Sequence, residues 1–274
     1  MDLQLELNNY RLNYVLEGNH ENPPILFLHG FMGDRNEFKN AIAQLSTHFY
    51  CISLDLLGHG QTIAIAQSED LDANYTIQGT ANLIINFLEI LQIKRCFLVG
   101  YSMGGRLALY LILFFPQYFH KVVLESASAG LDNAKDRSDR LLKDQQLATE
   151  LETVDLELFL ENWYQQPVFA NLRSHPNFPE MIIQRLKNSP LKLAKSLRNL
   201  SLGMQPSLWN QLSTNATPLL LIVGELDAKF VQINQQMQQL NKFIELEIIP
   251  KSGHNVHFEQ PEMFAKAVTR FFKI

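Results

Sequence analysis

The pentapeptide Gly100-Tyr101-Ser102-Met103-Gly104 sets a serine between two glycines, where an apolar run, "CFLVG", meets a helical pattern. Such glycines permit a sharp strand-to-helix turn that lifts the serine above a sheet edge. At the start of the following helix, backbone N–H groups and the helix dipole favour negative charge near the serine oxygen. Asp227 follows a second apolar run in "GELDAKF", and His254 follows a glycine in "KSGHNVHFE". A histidine can take the serine proton, and a carboxylate can fix the imidazole tautomer and stabilise its cation. Singly, each has a structural explanation: Ser102 as a helix N-cap, Asp227 as a helix cap, His254 as a loop residue. Glu125, ending "KVVLE", is a rival acid, and His257 a rival base; His254 is preferred because it sits at the loop tip. His29 and His59, in "HGFMG" and "LGHGQT", suit structural turns. In "FLHGFMGD" the chain can bend so that the Phe31 N–H joins the Met103 N–H as a two-donor oxyanion hole.

These residues need a scaffold, and the apolar pattern supplies one. "PPILFLHG", "FYCISLD", "CFLVG", "KVVLES" and "PLLLIVGE" have the continuous apolar character of strands buried on both faces. "FIELEII" alternates in part and adds a further strand. Helical spacing over Gln78–Leu91, Gly104–Phe115 and Glu262–Phe272 separates them, the last helix opening at Pro261. Strand–helix alternation predicts a mostly parallel central sheet with helices on both faces. "LQLELNNYRLNYVLEG" alternates instead and predicts an antiparallel edge hairpin. The rhythm stops between Ala127 and Pro206, where no buried-strand run occurs. This predicts a helical cap over residues 127–206, inserted into a core made of 1–126 and 207–274. Serine, acid and histidine in that chain order, each after a strand, is the α/β-hydrolase arrangement. "QINQQMQQL" has the composition of a solvated helix face.

Hydrophobic residues make up 46% of the 274 residues, enough for a sizeable core. A net charge of −5 speaks against nucleic-acid and polybasic membrane surfaces, and no apolar stretch is long enough to span a bilayer. Cys51 and Cys96 lie within apolar runs without metal-ligand spacing, which predicts core thiols in a reducing, cytoplasm-like compartment. An anionic small-molecule substrate would therefore need local cations. Arg106 lies four residues after Ser102, and Lys229 two after Asp227. Arg137 and Arg140 stand in the cap, with Trp163 and Tyr164 as candidate aromatic walls and Tyr101 beside the serine. Together they suggest a pocket for a multiply charged anion.

"VGYSMGGRLALY", "ESASAGLDNAKDR", "NWYQQPVFANL", "GELDAKF" and "GHNVHFEQP" together resemble the 2-succinyl-6-hydroxy-2,4-cyclohexadiene-1-carboxylate synthases, over most of the chain. Leu57, Thr62 and Ala129 depart from the family pattern in loops. The resemblance implies an α/β-hydrolase-fold lyase of menaquinone and phylloquinone biosynthesis that eliminates pyruvate without metal or organic cofactor. It implies that Ser102, relayed to His254, acts as a base without an obligatory acyl-enzyme. It further implies substrate contacts from Tyr101, Arg106, Arg140 and Trp163, and more loosely from Lys229 and either Arg185 or Lys187. An ester or carbon–carbon bond hydrolase, needing only the triad and oxyanion hole, is the alternative.

Overall fold

The computed structural model describes residues 2–65 and 69–273. Nine strands are present among them: β1 (Asp2–Leu7), β2 (Tyr10–Glu17), β3 (Pro24–Leu28), β4 (Tyr50–Leu54), β5 (Ile63–Ala64), β6 (Cys96–Tyr101), β7 (Phe119–Glu125), β8 (Leu219–Gly224) and β9 (Ile244–Ile249). They form one sheet in the order β1-β2-β4-β3-β6-β7-β8-β9, with β5 paired to β2. From β4 to β9 every neighbouring pair is parallel. The opening hairpin is antiparallel and forms the edge, in the register Asp2↔Val15 to Leu7↔Tyr10.

The strands are apolar throughout because both faces are covered. Successive side chains point to opposite faces. Leu26, Leu28, Leu98, Val122 and Leu124 therefore enter one core, against the helices Ile77–Ile90 and Met103–Phe114. Ile25, Phe27, Val99, Val123 and Leu220 enter the other, against Lys39–Leu45 and Pro261–Phe272. Phe272 stacks on Phe97 at 4.4 Å there, both fully buried. Cys51 and Cys96 are free and buried within these layers.

Between β7 and β8 the chain forms only helices among the described residues, including Ala134–Thr153, Leu156–Tyr164, Phe178–Arg185, Pro190–Asn199 and Trp209–Ser213. The first four share a separate apolar cluster centred on Leu151, Phe159, Leu160 and Leu193, which also takes in Met32 from the loop after β3, whereas Leu212 of the last joins the main core. The glutamines of the helix Ala228–Gln239 are all exposed, in keeping with a solvated face, while its other side turns inward. Asn234 and Met237 are fully buried, and Asn234 donates from Nδ2 to the Ala127 carbonyl at 3.0 Å. No helix is long and apolar enough to cross a membrane among the described residues.

Candidate active site

The C-terminal ends of β3, β6, β7, β8 and β9 meet at one edge of the sheet, and each contributes a polar or loop group. Ser102 follows β6 directly and opens the helix Met103–Phe114 with φ 49° and ψ −105°. This left-handed backbone is strained for a residue with a Cβ. The glycines of the motif make the turn fit: a Cβ on Gly104 would lie 2.1 Å from the Leu28 carbonyl oxygen, and one on Gly100 2.5 Å from that of Gly104. Although Ser102 holds the N-cap position, its side chain caps nothing. Its hydroxyl lies 3.2 Å from His254 Nε2.

His254 Nδ1 lies 2.6 Å from Asp227 Oδ2, and the network assigns the proton to Nδ1. The other carboxylate oxygen, Oδ1, accepts from the Phe230 N–H at 3.2 Å, so Asp227 also caps the helix that follows it. The aspartate thus meets the histidine with one oxygen and caps the helix with the other. The imidazole is packed by Phe230 at 4.6 Å and Tyr101 at 5.6 Å. Glu125, the rival acid, faces His257: His257 Nδ1 donates to Glu125 Oε2 at 2.7 Å and its backbone N–H to Oε1 at 3.0 Å. His29 accepts from the Leu56 N–H through Nε2 and bonds the Gly30 carbonyl through Nδ1. His59 bonds the Leu57 carbonyl. Both histidines hold loops. Thr62, one of the family departures, bridges the Asp55 carbonyl and the Asn13 N–H.

A cavity of about 110 Å³ opens above Ser102. Phe31, Met103, Arg106, Ser126, Ala127, Ser128, Arg140, Trp163, Leu197, Leu200, Leu202 and Phe230 complete its wall. Trp163 meets Phe31 at 5.4 Å, closing the side opposite the helix. Phe31 and Met103 flank Ser102 there, and Met103, as the first residue of its helix, has an N–H without an intrahelical acceptor.

Arg106 is bound by neutral acceptors, donating from Nη1 to Gln205 Oε1 at 2.7 Å and from Nη2 to the Leu200 carbonyl at 3.2 Å. Burial, with the positive charge of Arg140 second, pushes its guanidinium down to about 9, which still leaves it a cation at neutral pH. Arg140 donates from Nε to the buried Asp144 at 2.8 Å. The remaining Asp144 oxygen accepts from the Ser201 hydroxyl at 2.7 Å.

Full-length similarity accompanies this geometry. The α/β-hydrolase fold family model matches residues 23–261. The 2-succinyl-6-hydroxy-2,4-cyclohexadiene-1-carboxylate synthase of Serratia proteamaculans is 34% identical over 256 residues, covering 93% of this chain and 95% of that one. The synthase of that name from Yersinia pseudotuberculosis is 32% identical over 253 residues, covering 92% and 88%. The structure of MenH from S. aureus superposes with a TM-score of 0.85 at 32% identity, covering 97% of this chain and 98% of that one. This chain belongs to the 2-succinyl-6-hydroxy-2,4-cyclohexadiene-1-carboxylate synthase family.

Not every residue singled out by the family resemblance reaches the cavity. Arg106, Arg140 and Trp163 line it. Tyr101 lies beneath it, its ring against Gly30 and 4.9 Å from His257. Lys229 is exposed, with its ammonium over the Phe230 ring. Lys187 is exposed and bonds Gln184. Arg137 reaches the Gly203 carbonyl rather than the cavity. Arg185 lines a different cavity and is buried in a bidentate pair with Glu37, both contacts 2.7 Å. Glu37 also approaches His257 Nε2 at 3.4 Å. Arg185 Nη1 and Asn188 Nδ2 both donate to the Met32 carbonyl, at 3.0 and 2.9 Å. Met32, one residue beyond Phe31, has φ 64°. Arg185 thus serves the loop that carries Phe31. Glu37, Asn188 and Gln205 are not marked by any motif; a glutamine before a proline or a glutamate in a short loop carries no signal by itself.

Proposed function

We propose that the protein is a carbon–oxygen lyase that eliminates pyruvate from 2-succinyl-5-enolpyruvyl-6-hydroxy-3-cyclohexene-1-carboxylate, giving 2-succinyl-6-hydroxy-2,4-cyclohexadiene-1-carboxylate. The observation carrying this reading is Arg106: a cation without a carboxylate partner, in the same cavity wall as Ser102. A multiply anionic substrate entering a chain of net charge −5 needs such a local cation. The names of the family's members supply the substrate class.

In this mechanism His254 takes the Ser102 proton as the serine oxygen removes a ring C–H proton. A serine alkoxide is too basic to form beforehand, so the two transfers are concerted. The ring carbon–oxygen bond to the enolpyruvyl group breaks, the second ring double bond forms, and the departing enolate takes up a proton to become pyruvate. Asp227 holds the imidazole tautomer and balances its charge. The Phe31 and Met103 N–H groups are placed to stabilise negative charge on a substrate oxygen. Arg106 and Arg140 bind carboxylates, and Trp163 walls the ring. The cavity of about 110 Å³ is smaller than the roughly 300–1,000 Å³ that encloses a whole ligand of this class. As it stands it has room for one arm of the substrate.

Supplying the pathway substrate to purified protein should release stoichiometric pyruvate, and Ser102→Ala should lower the rate by roughly 10³-fold or more. No pyruvate above background would sink the lyase reading. The strained serine beside helix-terminal N–H groups equally suits ester or carbon–carbon hydrolysis, the second reading. A trapped acyl-enzyme on Ser102 would favour it.

A further inference from the structure

We propose that Gln205 is a specificity-determining residue: it holds Arg106 through a neutral acceptor, so the charge of Arg106 remains available to a substrate carboxylate. The inference rests on the anionic substrate class proposed above and assigns the residue that selects it.

The contrast with the other arginines motivates it. Arg35 donates to the buried Asp55 at 2.7 Å, Arg185 pairs with Glu37, and Arg140 pairs with Asp144. Arg35 and Arg185 are buried, Arg106 and Arg140 half-buried, and a guanidinium withdrawn from water ordinarily needs such compensation. Arg106 alone among these four has only uncharged acceptors, one of them chosen by the sequence: Gln205 Oε1 at 2.7 Å. Gln205 is 2% exposed, and its Nε2 is buried without a hydrogen-bond partner. Leaving an amide N–H unmet is unfavourable. A glutamate of the same shape would satisfy Arg106 and carry no orphaned donor, so local stability alone favours the carboxylate. Keeping the amide is a departure from the stable choice of the kind found at ligand sites.

The surroundings leave room for a ligand at the guanidinium. A second cavity of about 70 Å³ is lined by Gln205, Thr76, Ser201 and Met204, and shares Arg106 and Leu200 with the cavity above Ser102. A carboxylate arm there would meet the Arg106 guanidinium, whose charge the neutral Gln205 acceptor leaves uncancelled. The Gln205 backbone is fixed as well, its N–H donating to the Ser201 carbonyl at 3.1 Å while the Ser201 hydroxyl donates to Asp144. Through that bridge the turn holding Arg106 is registered to Arg140.

The test compares the whole protein with Gln205→Glu, which supplies an internal counter-charge, and Gln205→Met, which removes the amide without adding charge. Succinate is the calorimetric probe, and steady-state pyruvate release gives KM and kcat. Gln205→Glu should weaken succinate binding and raise KM at least tenfold, with kcat changed less than about threefold. Gln205→Met should lose clearly less affinity. If the glutamate variant fails to fold, Gln205→Asp supplies the charge at the same backbone position and carries the same expectation. Equal losses in the charged and uncharged variants, or unchanged succinate affinity in the charged one, would overturn the assignment. So would wild-type protein that fails to bind succinate. Wild-type protein that releases no pyruvate, yet loses succinate binding on Gln205→Glu, would overturn the lyase reading and leave Gln205 in place.

Discussion

Asp227 divides its two oxygens between different tasks, and a single substitution can separate them. Oδ2 accepts from His254 and Oδ1 from the Phe230 N–H. Asparagine is as good an N-cap as aspartate, so Asp227→Asn can keep the helix start. It cannot balance an imidazolium, and its amide can turn the wrong group toward His254. We expect kcat to fall by roughly 10³–10⁴-fold, with the melting temperature within a few degrees of wild type; equal damage to both would mean that Asp227 is chiefly structural. Ser102 shows the opposite economy. Its cap position is occupied, but its oxygen is spent wholly toward His254. The serine, aspartate and histidine were legible as candidates because each follows an apolar run directly. Gln205 was not, because its significance depends on a partner 99 residues away.

At the scale of elements, the end of the helix Phe178–Arg185 and the residues just after it act as a clamp. Arg185 and Asn188 grip the Met32 carbonyl, and Asn188 Oδ1 accepts from the Gly60 N–H at 2.9 Å. A left-handed Met32 needs such fixing, since the surrounding structure must over-determine a sparsely populated backbone conformation. Removing Arg185 leaves a buried Glu37 with only His257 beside it, a loss of about 3–5 kcal/mol, whereas Asn188→Ala removes one of two donors and should cost about 1–2 kcal/mol. Urea unfolding of Arg185→Met and Asn188→Ala should show that order, with kcat for Asn188→Ala falling more than its KM rises. The reverse order would assign the clamp to Asn188 alone. The lack of buried-strand runs predicted a helical cap here but not this helix's task, because the charged side chain that looked like a substrate contact turned inward to a loop 153 residues earlier in the chain.

For the whole molecule, the buried Glu37–His257–Glu125 cluster ties stability to pH. Burial works against charge on His257, but Glu125 and then Glu37 raise it from an ordinary 6.5 to about 9. Burial likewise works against a charged Glu37, yet Arg185 and His257 hold it well below its ordinary 4.5. A raised histidine gives stability that is complete below about 6.5 and lost as pH rises through 9; a depressed carboxylate gives stability present above 4.5 and lost in acid. Wild-type protein should therefore be most stable between those limits and weaken from pH 6.5 to 9. His257→Gln, less stable throughout, should show a shallower decline over that interval in denaturant titrations at each pH; an unchanged slope would contradict the assignment. The sheet, its covered faces and the strand ends were determined by the sequence alone, since continuous apolar runs and glycine punctuation are local and each follows from backbone geometry. Which of Arg106, Arg140 and Arg185 stands without a carboxylate was decided only by the tertiary structure. Arg106, Arg140 and Arg185 are alike as letters, and burial beside an amide or a carboxylate is what makes one a binding cation and another a brace.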